Sequence, residues 1–484
     1  MTDIAEANKF FCYLDLLVDT PDQQRATVLR EDLANIREAW WQAVNRGQAR
    51  LWSNSLDIFV SLLQRLGLID DALYLIDAAI EQLETDDDAR ATTSQQEEML
   101  AHLLYHKGRL IEFRVGKRRT VEIRKRLLSL TKDPVLQART SVELGDVLAE
   151  LGLWEEADAH FNRARAVSQK IGDRKLIVYT DRARTHAHAV HFRGDFRDGI
   201  QRMENALALL KDEPDTIEDC CFVCFTLALL GVRYGDYALS RRYAELELEY
   251  ARQTQDHLFT ILAMNGIGLA EQFAGMYADA VTHFKQGLAM AGENNLREDM
   301  GIFKANLCLT LRQLGELEEA MAYGRAAMED FQAAGAGRFE GMLRNRLGHT
   351  LSVLGRWSEA YEMYNGALAV WKPLNHPNEN EARAGLALAA SHLGQPDEAR
   401  ELVDGVLAFV GREKLVGMVE PVLMLLNCAE VLGQTGQGER VGEALQFGAE
   451  WIEMVAGRIS DDEMIGYFLA RPDNQRLREQ LSQR

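Results

Sequence analysis

Eight glycines, Gly152, Gly194, Gly235, Gly275, Gly315, Gly355, Gly394 and Gly436, recur at intervals of 42, 41, 40, 40, 40, 39 and 42 residues. Each opens the same phrase, a turn followed by an amphipathic stretch, as in 152-GLWEEADAHFNRARAV and 355-GRWSEAYEMYNGALAV. A period near 40 constrains the chain to stacked helical repeats, because one such unit cannot bury its own apolar face and needs a neighbour to cover it. The expected fold is all-α: a right-handed superhelical solenoid of antiparallel helix pairs that lengthens along one axis without starting a new core. At 484 residues the chain would otherwise be expected to divide into about three ordinary domains.

Aligning the repeats on the glycine exposes a second regularity. Seven residues earlier sit Gly145, Ala187, Ala228, Gly268, Cys308, Gly348, Ala387 and Ala429, all small. Two helices crossing at ~8–10 Å leave no room for a long side chain at the contact. Five residues after the turn, Ala157, Ala280, Ala320, Ala360 and Ala399 supply a matching small contact, with Gly199, Ser240 and Val441 as variants. Nine after it, Phe161, Phe284 and Tyr364 are placed to fill the gap between layers, while Met203, Ala244, Gly324, Val403 and Leu445 show a looser position.

The ladder does not span the whole chain. Residues 1–85 form an irregular helical region in which Leu29, Leu33, Ile36 and Trp40 recur at helical steps. Residues 86–130 hold a polar linker and a divergent repeat that turns at Gly116. Eight repeats occupy 131–455, and 456–484 forms a cap.

Small residue, turn glycine, alanine and aromatic at these offsets resemble tetratricopeptide repeats, in a variety of about 40 residues whose helices are each roughly a turn longer. That longer variety is similar to the sensor arrays of STAND signalling ATPases and related bacterial activators. Two further stretches extend the resemblance. The segment 31-EDLANIREAWWQAVNRGQ resembles the helix that follows the nucleotide-binding module in those proteins, and 467-YFLARPDNQRLREQL resembles their closing segment. The module itself is missing from the pattern: no G-x-x-x-x-G-K-[ST] occurs, since Gly116-Lys117 runs into Arg118 without the upstream glycine. No helix-turn-helix is recognisable either, so neither ATPase nor DNA-binding activity carries over.

Composition narrows the partners. A net charge of −20 disfavours generic nucleic-acid binding. Against that background, residues 107–126 hold nine Lys and Arg beside Glu112 and Glu122, a solvated helical face or a docking patch for an acidic partner. The opening MTDIAEANKF lacks the basic start and apolar run of a secretory leader. The longest uncharged apolar run, Cys220–Val232, has 13 residues, short of the ~20 that span a bilayer. Six cysteines without paired spacing suit a reducing compartment, so a cytoplasmic protein is expected.

Chemistry-bearing motifs are sparse. In 185-THAHAVHF, His188 and His191 share a helical face, but no acidic pair completes a zinc tetrahedron. Cys221 and Cys224 make one C-x-x-C inside an apparently buried helix, where cysteine packs as a small hydrophobe. No Ser-His-Asp, G-x-S-x-G or H-E-x-x-H arrangement appears, and the expectation is a non-enzymatic protein with no cofactor and no metal.

Function is then sought on the inner wall that the first helix of each pair provides. Residues flanking the small contact give Arg139, Asp146 and Glu150; Arg184, His188 and His191; then Arg233, Asn265, Gln272, Arg312, Gln313, Asn345, His349, His392 and Glu430. Asn265 and Asn345 occupy the same slot two repeats apart. By resemblance to peptide-binding arrays of this fold, an asparagine there would clamp a ligand's backbone amide, donating and accepting at once. Arg184, Arg233 and Arg312 could hold a carboxylate in forked geometry. The expected function is a sensor or adaptor that binds a protein or peptide in its concave groove, with a separately encoded effector as a possible second partner. An alternative is a peptide-pheromone-responsive regulator whose N-terminal bundle moves against the array. A bland reading of the same wall, a hydrated groove kept soluble by its polar residues, stays open at this stage.

Overall fold

The computed structural model describes residues 56, 60, 63, 69–85 and 94–483, except 116, 192, 194, 211–215, 255, 256, 335, 337, 338, 375, 412–414, 416 and 417. The helix read at 31–48, Cys12, and the turns at Gly116 and Gly194 lie outside the described residues.

Among the described residues the chain is all-α, with no strand. The helices are α1 Ile69–Thr85, α2 Ser94–Val115, α3 Val121–Leu130, α4 Pro134–Glu150, α5 Trp154–Ile171, α6 Arg174–Val190 and α7 Phe196–Leu210. They continue with α8 Ile217–Tyr234, α9 Tyr237–Ala251, α10 His257–Ala274, α11 Tyr277–Glu293, α12 Arg297–Leu314, α13 Leu317–Ala334 and α14 Glu340–Val353. The last are α15 Trp357–Trp371, α16 Glu379–His392, α17 Pro396–Val410, α18 Pro421–Gln434, α19 Val441–Ala456, α20 Asp462–Leu469 and α21 Pro472–Ser482. Contacts divide the chain into two compact units, one ending at Arg184 and one running from Thr185, so the boundary falls inside α6.

The ladder glycines are the joints between paired helices. Gly152, Gly235, Gly275, Gly315, Gly355, Gly394 and Gly436 all have φ between +71° and +94°, a region that L side chains enter only with strain. The left-handed step lets the next N–H turn back to a carbonyl five residues earlier. Leu153 N reaches Leu148 O at 2.9 Å, Met276 N reaches Glu271 O at 2.8 Å, and Arg356 N reaches Leu351 O at 2.9 Å. This Schellman closure satisfies carbonyls that the helix end would leave bare, and it points the second helix back along the first. Helix starts use familiar caps: Asp133 accepts from Val135 N at 3.0 Å with Pro134 at the first position, and Asp236 accepts from Leu239 N at 3.1 Å.

The small residue seven before the glycine and the aromatic nine after it prove to be one contact. A Cβ placed on Gly268 would lie 2.5 Å from the Phe284 ring; on Gly348, 2.7 Å from Tyr364; on Gly145, 3.0 Å from Phe161. Each ring enters the notch its own hairpin leaves, and all three rings are fully buried. Where the later position is small, the bulk moves to the other side. At Gly324 a Cβ would meet Cys308 Sγ at 3.1 Å and Leu347 at 2.4 Å. The five alanines after the turn are fully buried as well.

The first unit builds its core from Leu75, Ile76, Leu103, Leu104, Leu110 and Leu127. In the second unit apolar clusters follow one another along the repeats, the largest drawn from α16–α21 together with Tyr237, Phe273 and Ala274.

Candidate functional site

Within the second unit the first helices, α8, α10, α12, α14, α16 and α18, pack against one another from pair to pair. Among the described residues no comparable packing joins successive second helices. Shorter spacing on one side is what curves a stack, so the first helices form the concave wall.

That wall carries two groups of hydrogen-bonded polar side chains, one around Asn306 and one around Glu420. Asn306 Nδ2 donates to Asn265 Oδ1 at 2.9 Å, and Arg346 Nη1 donates to Asn306 Oδ1 at 2.8 Å. Gln272 Nε2 donates to the Asn306 carbonyl at 3.1 Å and to Thr310 Oγ1 at 2.6 Å. One repeat further, Asn345 Nδ2 lies 3.4 Å from Glu381 Oε2, and Glu381 Oε1 accepts from the backbone N–H groups of Val419 at 2.7 Å and Glu420 at 3.0 Å. Glu420 returns across the wall to pair with Arg312, and its Oε1 also accepts from Gln313 Nε2 at 3.2 Å. His349 stands beside this pair, with Nε2 3.9 Å from Glu420 Oε2 and Nδ1 2.9 Å from the Tyr364 hydroxyl.

Burial sets the electrostatics. It alone would push the Glu420 carboxyl up, but the Arg312 guanidinium and then His349 outweigh it and hold the group at about 2. Glu381 goes the other way: burial pushes it up to about 7, against the two backbone N–H donors that favour its charged form. Burial also lowers His349 to about 4, so its imidazole is neutral at physiological pH. Arg346 and Arg233 are lowered by burial too, the latter to about 10.

The sequence-derived residues divide between the units. Arg139 (exposed), Asp146, Glu150 and Arg184 (all three half-buried) belong to the first, where Arg184 Nε donates to Asp158 at 3.0 Å and Nη1 lies 3.3 Å from Asn162 Oδ1. The other eleven belong to the second. His188, His191, Arg233 and Asn265 are half-buried, while Gln272, Arg312, Asn345 and His349 are buried in the two groups. His392 is at the rim, stacked on Trp357 at 3.8 Å between centroids and 3.3 Å from Glu430 Oε1. Asn306, Arg346, Glu381 and Glu420 were not singled out in the sequence. A signal existed for two of them: Asn306 and Arg346 both stand nine residues before a ladder glycine, one position after the asparagine slot. For Glu420 there was none, because it lies in a connection between repeats.

The basic segment 107–126 is partly neutralised where it is described. Lys107 pairs with Asp77 at 2.7 Å, and Arg124 is buried between Glu112 at 2.5 Å and Glu143 at 3.1 Å. The thiols of Cys220, Cys221, Cys224, Cys308 and Cys428 are buried. Among the described residues no helix is long and apolar enough to cross a membrane, and no cluster of His, Cys, Asp and Glu could hold a metal ion.

The C-terminal segment closes onto the early repeats of the same unit. Arg458 Nη1 donates to the Tyr234 carbonyl at the end of α8 at 2.7 Å, and Ser460 donates from N and Oγ to Asp236 Oδ1 at 3.2 and 3.1 Å. Arg471 donates to the Phe273 carbonyl at 3.3 Å and the Tyr277 hydroxyl at 3.2 Å. Phe468, fully buried, sits between Tyr237 and Trp451 with centroids 5.9 and 5.8 Å away. Each arginine takes up a carbonyl exposed by a left-handed turn.

Residues 338–408, which run from the start of α14 into α17, match the tetratricopeptide repeat family. No curated protein matches the chain. Among solved structures, the Rap conjugation gene regulator of the plasmid pLS20, in complex with the Phr* peptide, is 18% identical; the match covers 80% of this chain and 96% of that one, with a TM-score of 0.50. A Rap protein complexed with Competence and Sporulation Factor is 14% identical over 88% of this chain and 99% of that one, at 0.49. Aspartyl phosphate phosphatase F from Bacillus subtilis is 14% identical over 77% and 96%, at 0.47. At such identities the likeness is one of fold.

Proposed function

We propose that this chain, a scaffold of tetratricopeptide repeats, is a non-enzymatic sensor or adaptor that takes a peptide, or a peptide segment of a protein, on the concave wall of its second unit. One observation carries the reading: amide side chains from successive first helices, Asn265, Gln272, Asn306 and Asn345, line that wall, the first three joined through Asn306 and the last bonded to Glu381. An amide offers a donor and an acceptor together, which matches the repeating demand of a peptide backbone. A wall that only had to be soluble would put its polar groups in water, whereas Gln272, Asn306 and Asn345 are buried. The fold neighbour from plasmid pLS20 is held in complex with a peptide, which agrees with this use of the architecture. Buried thiols suit a reducing compartment such as the cytoplasm.

The test is the double substitution Asn265→Ala and Asn345→Ala, with affinity capture from native cells read beside helicity by circular dichroism. Selective loss of a partner at unchanged helicity is the expected result. Undiminished capture of every partner by a helical double variant would sink the assignment of the wall.

A further inference from the structure

One residue of the second unit breaks the repeat register. Twelve positions after the turn glycine the chain carries alanine or glycine in six repeats, as at Ala206, Gly287 and Ala327, and Val406 in a seventh. The remaining repeat has Glu247 there. The slot lies between a second helix and the first helix of the next pair, since a Cβ on Gly287 would run into the Phe303 ring. Glu247 is fully buried in α9, and neither of its carboxylate oxygens has a partner. A residue that violates the packing rule its seven equivalents obey marks a place where function, not stability, sets the choice.

The surroundings of Glu247 offer no cation to offset a charge. On α8 the neighbouring titratable groups are the buried thiols of Cys220, Cys221 and Cys224, with Glu218 toward the helix start. Burial, and next the Glu247 charge, push the Cys221 thiol up to about 12. Tyr250 follows one turn along α9, and α10 adds the apolar Phe259 and Leu262 to the cluster around Cys221. The titratable groups of α10 stand at its two ends, His257 at the start and Glu271 near the finish, the latter bonded to His283. Arg241 and Arg242 of α9 are turned to Glu245, Glu271 and the Glu204 of α7, and Asp461 and Glu463 border the same arginines. Burial therefore raises the Glu247 carboxyl well above the usual carboxylate range.

The two turns on either side of this slot are the ones the C-terminal segment holds. Arg458 and Ser460 bond Tyr234 and Asp236 at the Gly235 turn, while Arg471 bonds Phe273 and Tyr277 at the Gly275 turn. Phe468, buried between them, makes the segment a clasp across the joint of α9 and α10. The next three turns are bare, with nothing within 4 Å of a Cβ on Gly315, Gly355 or Gly394. A group that weakens one joint and a clasp that shuts the same joint are the two parts of a switch.

We propose that the joint of α9 and α10 is a hinge held shut by the C-terminal clasp, and that ionisation of Glu247 opens it. A carboxylate without a partner is strongly disfavoured in that slot, so the proton passes to water only as the joint opens and hydrates the group. Opening draws the Gly235 and Gly275 turns apart against the bonds of Arg458 and Arg471. It also shifts Asn265 and Gln272, which α10 carries on the wall, whatever the wall binds. The contribution of the closed joint is fully present below 4.5 and falls away as pH rises toward the raised folded-state value.

Hydrogen exchange of the full chain, corrected for the intrinsic rate at each pH, tests this against Glu247→Gln, which keeps the shape and cannot ionise. From pH 5 to 7 the ratio of wild-type to variant exchange should rise by about tenfold per unit in 237–263 and in 458–471, because each opening releases one proton. The ratio should stay level in 341–410. Glu247→Ala, with the residue that other repeats place in the slot, serves as the comparator if the glutamine variant does not fold. A level ratio in 237–263 would overturn the proton switch. A rise there with 458–471 level would overturn the clasp. A rise shared equally by 341–410 would mean that the whole unit unfolds, and would remove the hinge.

Discussion

Arg312 and Glu420 stand 108 residues apart in the chain and form an ion pair buried inside the second unit. Removing one partner strands the other charge in a medium that solvates it poorly. Glu420→Gln should therefore destabilise the chain by about 3–5 kcal/mol. The double variant Arg312→Met with Glu420→Leu should recover most of that loss, since it leaves no orphaned charge. Chemical denaturation of the three variants checks this, and a Glu420→Gln variant within about 1 kcal/mol of wild type would mean that the pair is effectively hydrated.

Glu381 and His349 give the same wall two opposed pH dependences. The Glu381 carboxyl is raised from 4.5 to about 7 in the folded chain, so its contribution is fully present below 4.5 and is lost as pH rises through 7. His349 is lowered from 6.5 to about 4, so its contribution is present above 6.5 and is lost as pH falls through 4. Between pH 4.5 and 6.5 the two slopes partly cancel, each running at up to about 1.4 kcal/mol per unit. Relative to wild type, Glu381→Gln should lose stability on acidification across this window, and His349→Gln should gain it. Urea midpoints at half-unit pH steps measure both, and parallel curves for all three proteins would refute the assignment.

Much of this was legible in the sequence because the constraint was local. A left-handed turn every 40 residues selects glycine wherever it occurs, so Gly235, Gly275, Gly315 and their equivalents stood out without any knowledge of packing. The small-to-aromatic contact was half legible: Gly268 and Phe284 were each found, but not that they touch. The wall was found where its residues keep a register, as with Asn265, Gln272 and Asn345. It was missed where the contact depends on closure of the stack, as with Glu420, or with Arg458 and Arg471 at turns some 200 residues earlier. Such contacts depend on curvature accumulated over several repeats, and no local pattern records that.

Gly275 and Gly315 separate the two roles a turn glycine can have. Both have positive φ, +91° and +82°, but only Gly275 is covered: a Cβ there would lie 2.8 Å from Arg471 Cγ and 2.8 Å from the Tyr467 carbonyl. Nothing lies within 4 Å at Gly315. Gly315→Ala should thus cost only the conformational penalty, about 1–2 kcal/mol. Gly275→Ala should cost more and also lift α20 and α21, which hydrogen exchange across 458–482 would report as faster labelling. Equal exchange in the two variants would show that the C-terminal segment is indifferent to the turn beneath it.

Gly268 and Phe284 test the notch directly, because the substitution that fills it can be compensated from the other side. Gly268→Ala places a methyl 2.5 Å from a fully buried ring, and overpacking of this kind costs about 1–3 kcal/mol. Phe284→Leu alone leaves a void in place of the ring edge and should also destabilise, by a comparable amount. Together the two changes exchange volume across one contact, as Cys308 and Gly324 already do one repeat later. The double variant should be more stable than the sum of the single losses implies, with a coupling of at least about 0.5 kcal/mol. A thermodynamic cycle from urea denaturation supplies the number. Strict additivity would mean that the small residue is set by the approach of the helix backbones and not by the ring.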